Sequence, residues 1–137
     1  MKLMIMALAI AFQLTLVNAA ELSICQGGDR KARKVTCLVD GDTGWENGVK
    51  WRLKNIDTPE YPPRAECLAE QEAAKEATYR LLELMRNGYT IIPAEETGRY
   101  GRDLVNIQLE NGRDVGELLI AEGLAQPWPN SGNVWCR

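Results

Sequence analysis

A chain of 137 residues is one domain with room for a small core. Its net charge of −3 argues against a basic protein that coats nucleic acid without specificity, although basic groups can still converge locally. It has no histidine and no Cys-x-x-Cys pair, which argues against a zinc site and leaves carboxylates as the first choice for a general base, ahead of lysine, tyrosine or metal-bound water.

The chain opens with Lys2, a nearly unbroken apolar run from Leu3 to Val17, and small residues at Val17-Asn18-Ala19. This pattern predicts a secretory signal peptide over residues 1–19, cut after Ala19 or Ala20, and a mature domain over 20–137. The alternative is an uncleaved anchor, for which the apolar run is slightly short. Export to the periplasm or the medium would put Cys25, Cys37, Cys67 and Cys136 in an oxidising compartment. Of the three possible pairings, Cys25–Cys37 across a basic hairpin and Cys67–Cys136 tying the tail to a helix are preferred.

Leu22 to Cys25 and Val35 to Val39 read as strands, joined by a connector carrying Arg30, Lys31, Arg33 and Lys34. A solvated turn is the plainer reading of that connector, and contact with a polyanion is the other. Asp40-Gly41-Asp42-Thr43 and Glu46-Asn47-Gly48 read as turns, and Val49 to Ile56 as the third strand of a meander. Trp51, Leu53 and Asn55 fall on one face of that strand, and Arg52, Lys54 and Ile56 on the other. It breaks at Thr58-Pro59, because proline supplies no amide donor and keeps the residue before it out of helical geometry.

Tyr61 to Glu66 is loop, and Leu68 to Met85 has helical period. Leu68, Ala73 or Ala74, Ala77, Leu81, Leu84 and Met85 mark its inner face. Glu70, Glu72, Lys75, Glu76 and Arg80 mark a solubilising outer face without a catalytic role. Asn87-Gly88 stops the helix. Tyr89 to Ile92 and Leu104 to Leu109 are further strands, separated by a polar loop from Pro93 to Asp103. Val115 to Glu122 is a short helix with Asp114 as N-cap and Gly123 as stop, and Pro127 to Arg137 is an irregular tail. The order predicts an α+β protein: a five-stranded OB-fold β-barrel with a long helix between strands 3 and 4 and a short C-terminal helix.

Asp40 and Asp42, Asp57 and Glu60, and Arg99 and Arg102 sit at strand ends or in one loop, where the three segments could meet. Clustered carboxylates without histidine or thiolate suit a hard cation such as calcium or magnesium. Arginines add planar forks for a phosphodiester. Each segment alone is an ordinary surface sequence.

Together, Val39-Asp40-Gly41-Asp42-Thr43, Arg52-Leu53 with Ile56-Asp57-Thr58-Pro59-Glu60, Arg99-Tyr100-Gly101-Arg102, and Glu117 to Ala125 ending in Gly123-Leu124-Ala125 resemble the staphylococcal nuclease (thermonuclease) family. The resemblance spans Val35 to Ala125. It implies a calcium-dependent hydrolase of DNA and/or RNA that leaves 3′-phosphate ends. It also implies Asp42, Asp57 and the Thr58 carbonyl as Ca2+ ligands, with Asp40 acting through water. Glu60 is then the general base, Arg52 and Arg102 grip the phosphate and stabilise its transition state, and Tyr100, beside Arg99, lies at the nucleotide-binding rim.

The chain departs from the family's pattern at its end. It stops where the staphylococcal protein continues into a third helix, so a Cys67–Cys136 bridge is inferred to anchor the tail instead. A second base-stacking tyrosine has no counterpart, and Trp128 in Pro127-Trp128-Pro129 is either its substitute or a core plug. A monomer is expected. The rival readings are a secreted OB-fold module that binds nucleic acid or protein without cutting and, last, a disulfide-stapled structural or inhibitory domain.

Overall fold

The computed structural model describes residues 21–97 and 103–137. The predicted leader and Arg99, Tyr100 and Arg102 lie outside the described residues.

The chain forms β1 (Ser23–Ile24), β2 (Cys37–Leu38), β3 (Thr43–Glu46), β4 (Val49–Leu53), β5 (Ile56–Asp57), α1 (Leu68–Met85), β6 (Tyr89–Thr97), β7 (Asp103–Leu109), α2 (Val115–Ala121) and β8 (Gln126–Pro127). Six strands make one sheet in the order β1-β2-β3-β4-β7-β6, and β5 pairs with β8 in a separate ribbon. The architecture is therefore mixed α+β with a multi-stranded sheet and two helices.

The core follows from alternation. In β4, Trp51 and Leu53 are buried while Lys50 and Arg52 are only partly covered. In β7, Val105, Ile107 and Leu109 alternate with exposed Asn106 and Gln108. These side chains join Leu81 and Met85 of α1 and Val115 and Leu119 of α2 in one apolar cluster. The start of α2 is the expected one, with Asp114 accepting from the Glu117 amide at 3.0 Å, whereas α1, for which no cap was expected, is capped by the sulfur of Cys67, 3.3 Å from the Glu70 amide.

Five expectations change. First, Thr43–Glu46 is a strand paired with β4; four residues between two strong turn signals were too few to show a period. Second, β1 and β2 run parallel, pairing Ser23 with Cys37 and Ile24 with Leu38, so the basic connector is a crossover and not a hairpin. Its chain winds back through one turn in which the Arg33 amide donates to the Asp29 carbonyl at 3.1 Å. Third, β4 ends before Asn55, whose φ of 63° turns the chain, and Ile56–Asp57 resumes as β5 against β8 in a tail expected to be irregular. Fourth, β6 runs on to Thr97, past Pro93, which the sheet tolerates because β6 is an edge strand with an irregularity at that point. Fifth, Leu68 is 70% exposed and Glu70 only 3%; they sit in the first turn, where capping and not the helical stripe sets orientation.

Both disulfides form as paired in the sequence reading, Cys25–Cys37 and Cys67–Cys136. The second closes the longer loop, with a separation of 69 residues against 12, so chain entropy predicts the larger contribution from it, about 4 kcal/mol against about 3. Among the described residues no helix is long and apolar enough to cross a membrane.

Gly44 lies opposite Trp51 in the ladder, and a Cβ there would fall well inside van der Waals contact with the indole ring. Trp51 is 2% exposed and has no room to swing away. Gly44→Ala is therefore expected to destabilise the protein by roughly 1–3 kcal/mol, read as a lower urea midpoint with an unchanged slope.

Candidate active site

The ends of β3 and β4 bring the first charges together. Thr43 pairs with Arg52 across the ladder, and the Leu53 amide donates to the Asp42 carbonyl at 2.8 Å. Just before β3 the chain makes a tight acidic turn, closed by the Asp42 amide donating to Asp40 Oδ1 at 3.0 Å. Gly41 allows that turn to sit against its support, because a Cβ there would come within 2.9 Å of Ala77 Cβ on α1 and 3.1 Å of the Thr58 side chain.

Asp42 is the hub. Its Oδ2 forms an ion pair with Arg52 Nη1 and accepts the Thr58 amide at 3.2 Å. Its Oδ1 accepts the Thr43 hydroxyl at 2.8 Å. Burial pushes the Asp42 carboxyl up, but the Arg52 charge and these hydrogen bonds outweigh burial and hold it below the ordinary carboxylate range. Among the described residues Asp40 has no such partner. Burial first, and then the charge of Asp42, drive its carboxyl well above the ordinary range. Arg52 is fixed from its other side by Nη2 donating to the Ile56 carbonyl at 3.3 Å.

Asp57 and Glu60 reach the same place from β5 and the turn after it. Asp57 Oδ2 accepts two side-chain amides, Gln126 Nε2 and Asn130 Nδ2, each at 3.1 Å. Glu60 is partly buried and lies 3.2 Å from Arg64 Nη2 through its Oε2. Burial raises the Glu60 carboxyl, Arg64 opposes this, and Asp42 and Asp57 add to the rise, with a net upward shift. Its backbone amide donates to Glu70 Oε1 at 3.1 Å.

Asp40, Asp42, Arg52, Asp57, Thr58 and Glu60 thus gather in one cluster. Trp128 stands apart from the core at 52% exposure, so it is not a core plug. Its amide donates to the Asn55 carbonyl at 2.9 Å, beside the β5–β8 ribbon that carries Asp57. Four residues in this neighbourhood escaped the sequence reading: Arg64, Glu70, Gln126 and Asn130. Glu70 had been assigned to the solvent face, yet it accepts the amides of Glu60 and Glu66 and the side chain of Asn133. A signal existed for it, since Cys67-Leu68-Ala69-Glu70 has the spacing of a capping box, in which the acid folds back over the helix start. Gln126 and Asn130 carried no local signal.

Among the described residues no three acidic or thiol side chains form a ready-made metal cage. The donor chemistry nonetheless suits a hard cation. Every candidate ligand is oxygen, and the charges of Asp42 and Asp57 push up Glu60, as that of Asp42 does Asp40, which is negative potential that Arg52 alone does not cancel.

The opposite shifts of Asp40 and Asp42 give a prediction for the protein in a calcium chelator. A carboxyl that binds its proton more tightly when folded costs stability as pH rises through its folded value, and one that binds it less tightly loses stability as pH falls through its folded value. Asp40→Asn, which keeps the acceptor for the Asp42 amide, is expected to raise the urea midpoint at pH 7, with the gain fading as pH falls through the raised folded value of Asp40 and gone by about pH 4, the ordinary aspartate value. Asp42→Asn strands the Arg52 charge and is expected to cost about 3–5 kcal/mol at pH 7.

Residues 50–132 match the family described as staphylococcal nuclease homologue. That span contains Arg52, Asp57, Thr58, Glu60 and Arg102 and begins after Asp40 and Asp42. No curated protein matches the sequence significantly. With more than half of its length in that match, this chain belongs to the staphylococcal nuclease family, a nuclease-like family that acts on nucleic acids.

Proposed function

We propose that this protein is an exported, calcium-dependent nuclease that hydrolyses phosphodiester bonds of DNA and/or RNA and leaves 3′-phosphate ends. The observation that carries this reading is the single cluster of Asp40, Asp42, Arg52, Asp57 and Glu60, in which one carboxylate is locked to a guanidinium and another is left half-buried and raised. The OB-fold barrel expected from the order of the elements, the monomeric state and the cleaved leader belong to the same reading. The two disulfides are compatible with an oxidising compartment.

Glu60 is the general base. A carboxylate raised by partial burial holds a proton better than an exposed one, so it can take the proton of a water attacking phosphorus. The new P–O bond forms as the bond to the 5′ oxygen breaks. That oxygen leaves with a proton from solvent, and the phosphate stays on the 3′ side. Arg52 is held by Asp42 and the Ile56 carbonyl, and its guanidinium would donate to a phosphate oxygen. Arg102 supplies the second fork, with Arg99 and Tyr100 at the nucleotide rim. Asp42, Asp57 and the Thr58 carbonyl would hold Ca2+, with Asp40 acting through water, and the ion would neutralise charge on the phosphate. Trp128, exposed beside the Asp57 ribbon, offers a flat face on which a base can stack.

The test is hydrolysis of single-stranded DNA by the mature, oxidised protein with calcium and with a chelator. Cleavage that needs calcium and yields 3′-phosphate ends supports the nuclease. A folded protein that binds oligonucleotide without cutting supports the non-catalytic module instead. In an active enzyme, Glu60→Gln is expected to lower kcat by about 10²–10⁴-fold with the fold intact. The acidic limb of the kcat/KM profile, which reports ionisation of Glu60 in the free enzyme, is expected above the usual glutamate range. Arg64→Ala removes the charge that opposes that rise, and is expected to move the limb further up.

A further inference from the structure

Three side chains of the tail beyond α2 donate to carboxylates at or beside the site. Gln126 and Asn130 both donate to Asp57 Oδ2 at 3.1 Å. Gln126 donates again to the Gly132 carbonyl at 3.1 Å, and Asn130 to the Pro127 carbonyl at 3.1 Å, so each amide ties the acid to the tail's own backbone. Further on, Asn133 Nδ2 donates to Glu70 Oε2 at 2.7 Å. Glu70 is 3% exposed, and its other oxygen accepts the Glu60 amide at 3.1 Å. Asn133 is itself fixed by its Oδ1, which accepts the Trp135 amide at 2.8 Å. One residue later Cys136 is bonded to Cys67, the N-cap of the helix that carries Glu70.

We infer that residues 126–136 form a clasp over the active site, in which Glu70 and Asn133 position Glu60, Gln126 and Asn130 position Asp57, and the Cys67–Cys136 bridge holds the clasp shut. This rests on the reading of Glu60 as general base and Asp57 as a cation ligand. Glu70 is a positioning residue, since it grips the backbone of Glu60 and leaves its carboxyl free. A buried carboxylate must have its oxygens satisfied to be tolerated. Glu70 therefore keeps its grip on the Glu60 and Glu66 amides, and Asn133 closes the remaining side. Without Asn133, Glu70 is drawn toward water, and the turn from Glu60 to Glu66 loses its anchor on α1. The bridge matters because the regular pairing of the tail is short. Its strand is two residues long, and Val134 and Cys136 are exposed.

The test uses the mature, oxidised protein and two independent cuts in this link, Asn133→Ala and the double variant Cys67→Ser/Cys136→Ser. Serine at position 67 still caps α1, and Asn133→Ala leaves both bridges in place, so a folding failure of the double variant does not leave the question undecided. Amide hydrogen exchange is expected to speed up at Glu60 and Glu66 in both variants, while Ile107 in β7 stays protected. On single-stranded DNA with calcium, kcat is expected to fall about ten- to a hundredfold with little change in KM. Adding Asn133→Ala to the bridgeless variant is expected to cost less than it does alone, because both act on one link. Unchanged exchange at Glu60 and Glu66 in Asn133→Ala overturns the clasp, as does an active enzyme whose kcat ignores that variant. If the unaltered protein proves inert on DNA, the nuclease reading falls by itself, and the exchange result alone decides the clasp.

Discussion

A buried carboxylate facing a largely buried guanidinium is expensive to assemble, and the centre of this protein is arranged around one such pair. Asp42 directly precedes β3 and Arg52 lies on β4 opposite Thr43, so the ladder between the two strands sets their separation before either side chain makes a contact. Removing charge from water costs several kcal/mol per ion unless geometry and further hydrogen bonds return it. Here Thr43 and Thr58 donate to the carboxylate, and the guanidinium donates onward to the Ile56 carbonyl. Each of those partners is a point where the backbone must be in place. The pair thus ties together the start of β3, the end of β4 and the turn after β5.

That arrangement also sorts the acids by role. Asp42 is stabilised as an anion, whereas Asp40, two residues away, is driven toward its neutral form by burial and by the charge of Asp42. Glu60 stands between these extremes, partly buried, with Arg64 at its edge. Neighbouring carboxyl groups pushed apart in their affinity for protons are a common mark of sites that handle charge. The backbone supplies the asymmetry, because it gives Arg52 to only one member of the Asp-x-Asp turn.

Much of this was legible in the chain itself. The two helices, the Asp114 cap of α2, the core stripe of β4 and both disulfides follow from period, turn chemistry and cysteine placement, and the acids of the cluster from their motifs. What stayed hidden has physical reasons. Strands of two to four residues, such as β3, β5 and β8, are too short to display alternation and exist because a neighbour offers a ladder. The parallel run of β1 against β2 depends on a crossover that composition alone does not distinguish from a hairpin. Glu70 was misassigned because helical period sorts residues by angle around the axis, whereas in a first turn the open amides of the incoming chain decide where an acid points. Gln126 and Asn130 act on a residue some seventy positions earlier, and pairings over that distance leave no mark in a single sequence.

The near-contact between Gly41 and Ala77 bears on how freely this sequence can drift. Ala77 is fully buried, within the same turn of α1 as exposed Lys75, Glu76 and Tyr79 but on another face. The outer face of the helix can exchange residues with little effect. On the inner face a single added methyl group at position 77 would press on the turn that carries both aspartates. Within this lineage, variation should therefore run along the solvent side of the long helix, while the spot beneath the acidic turn keeps its smallest side chains.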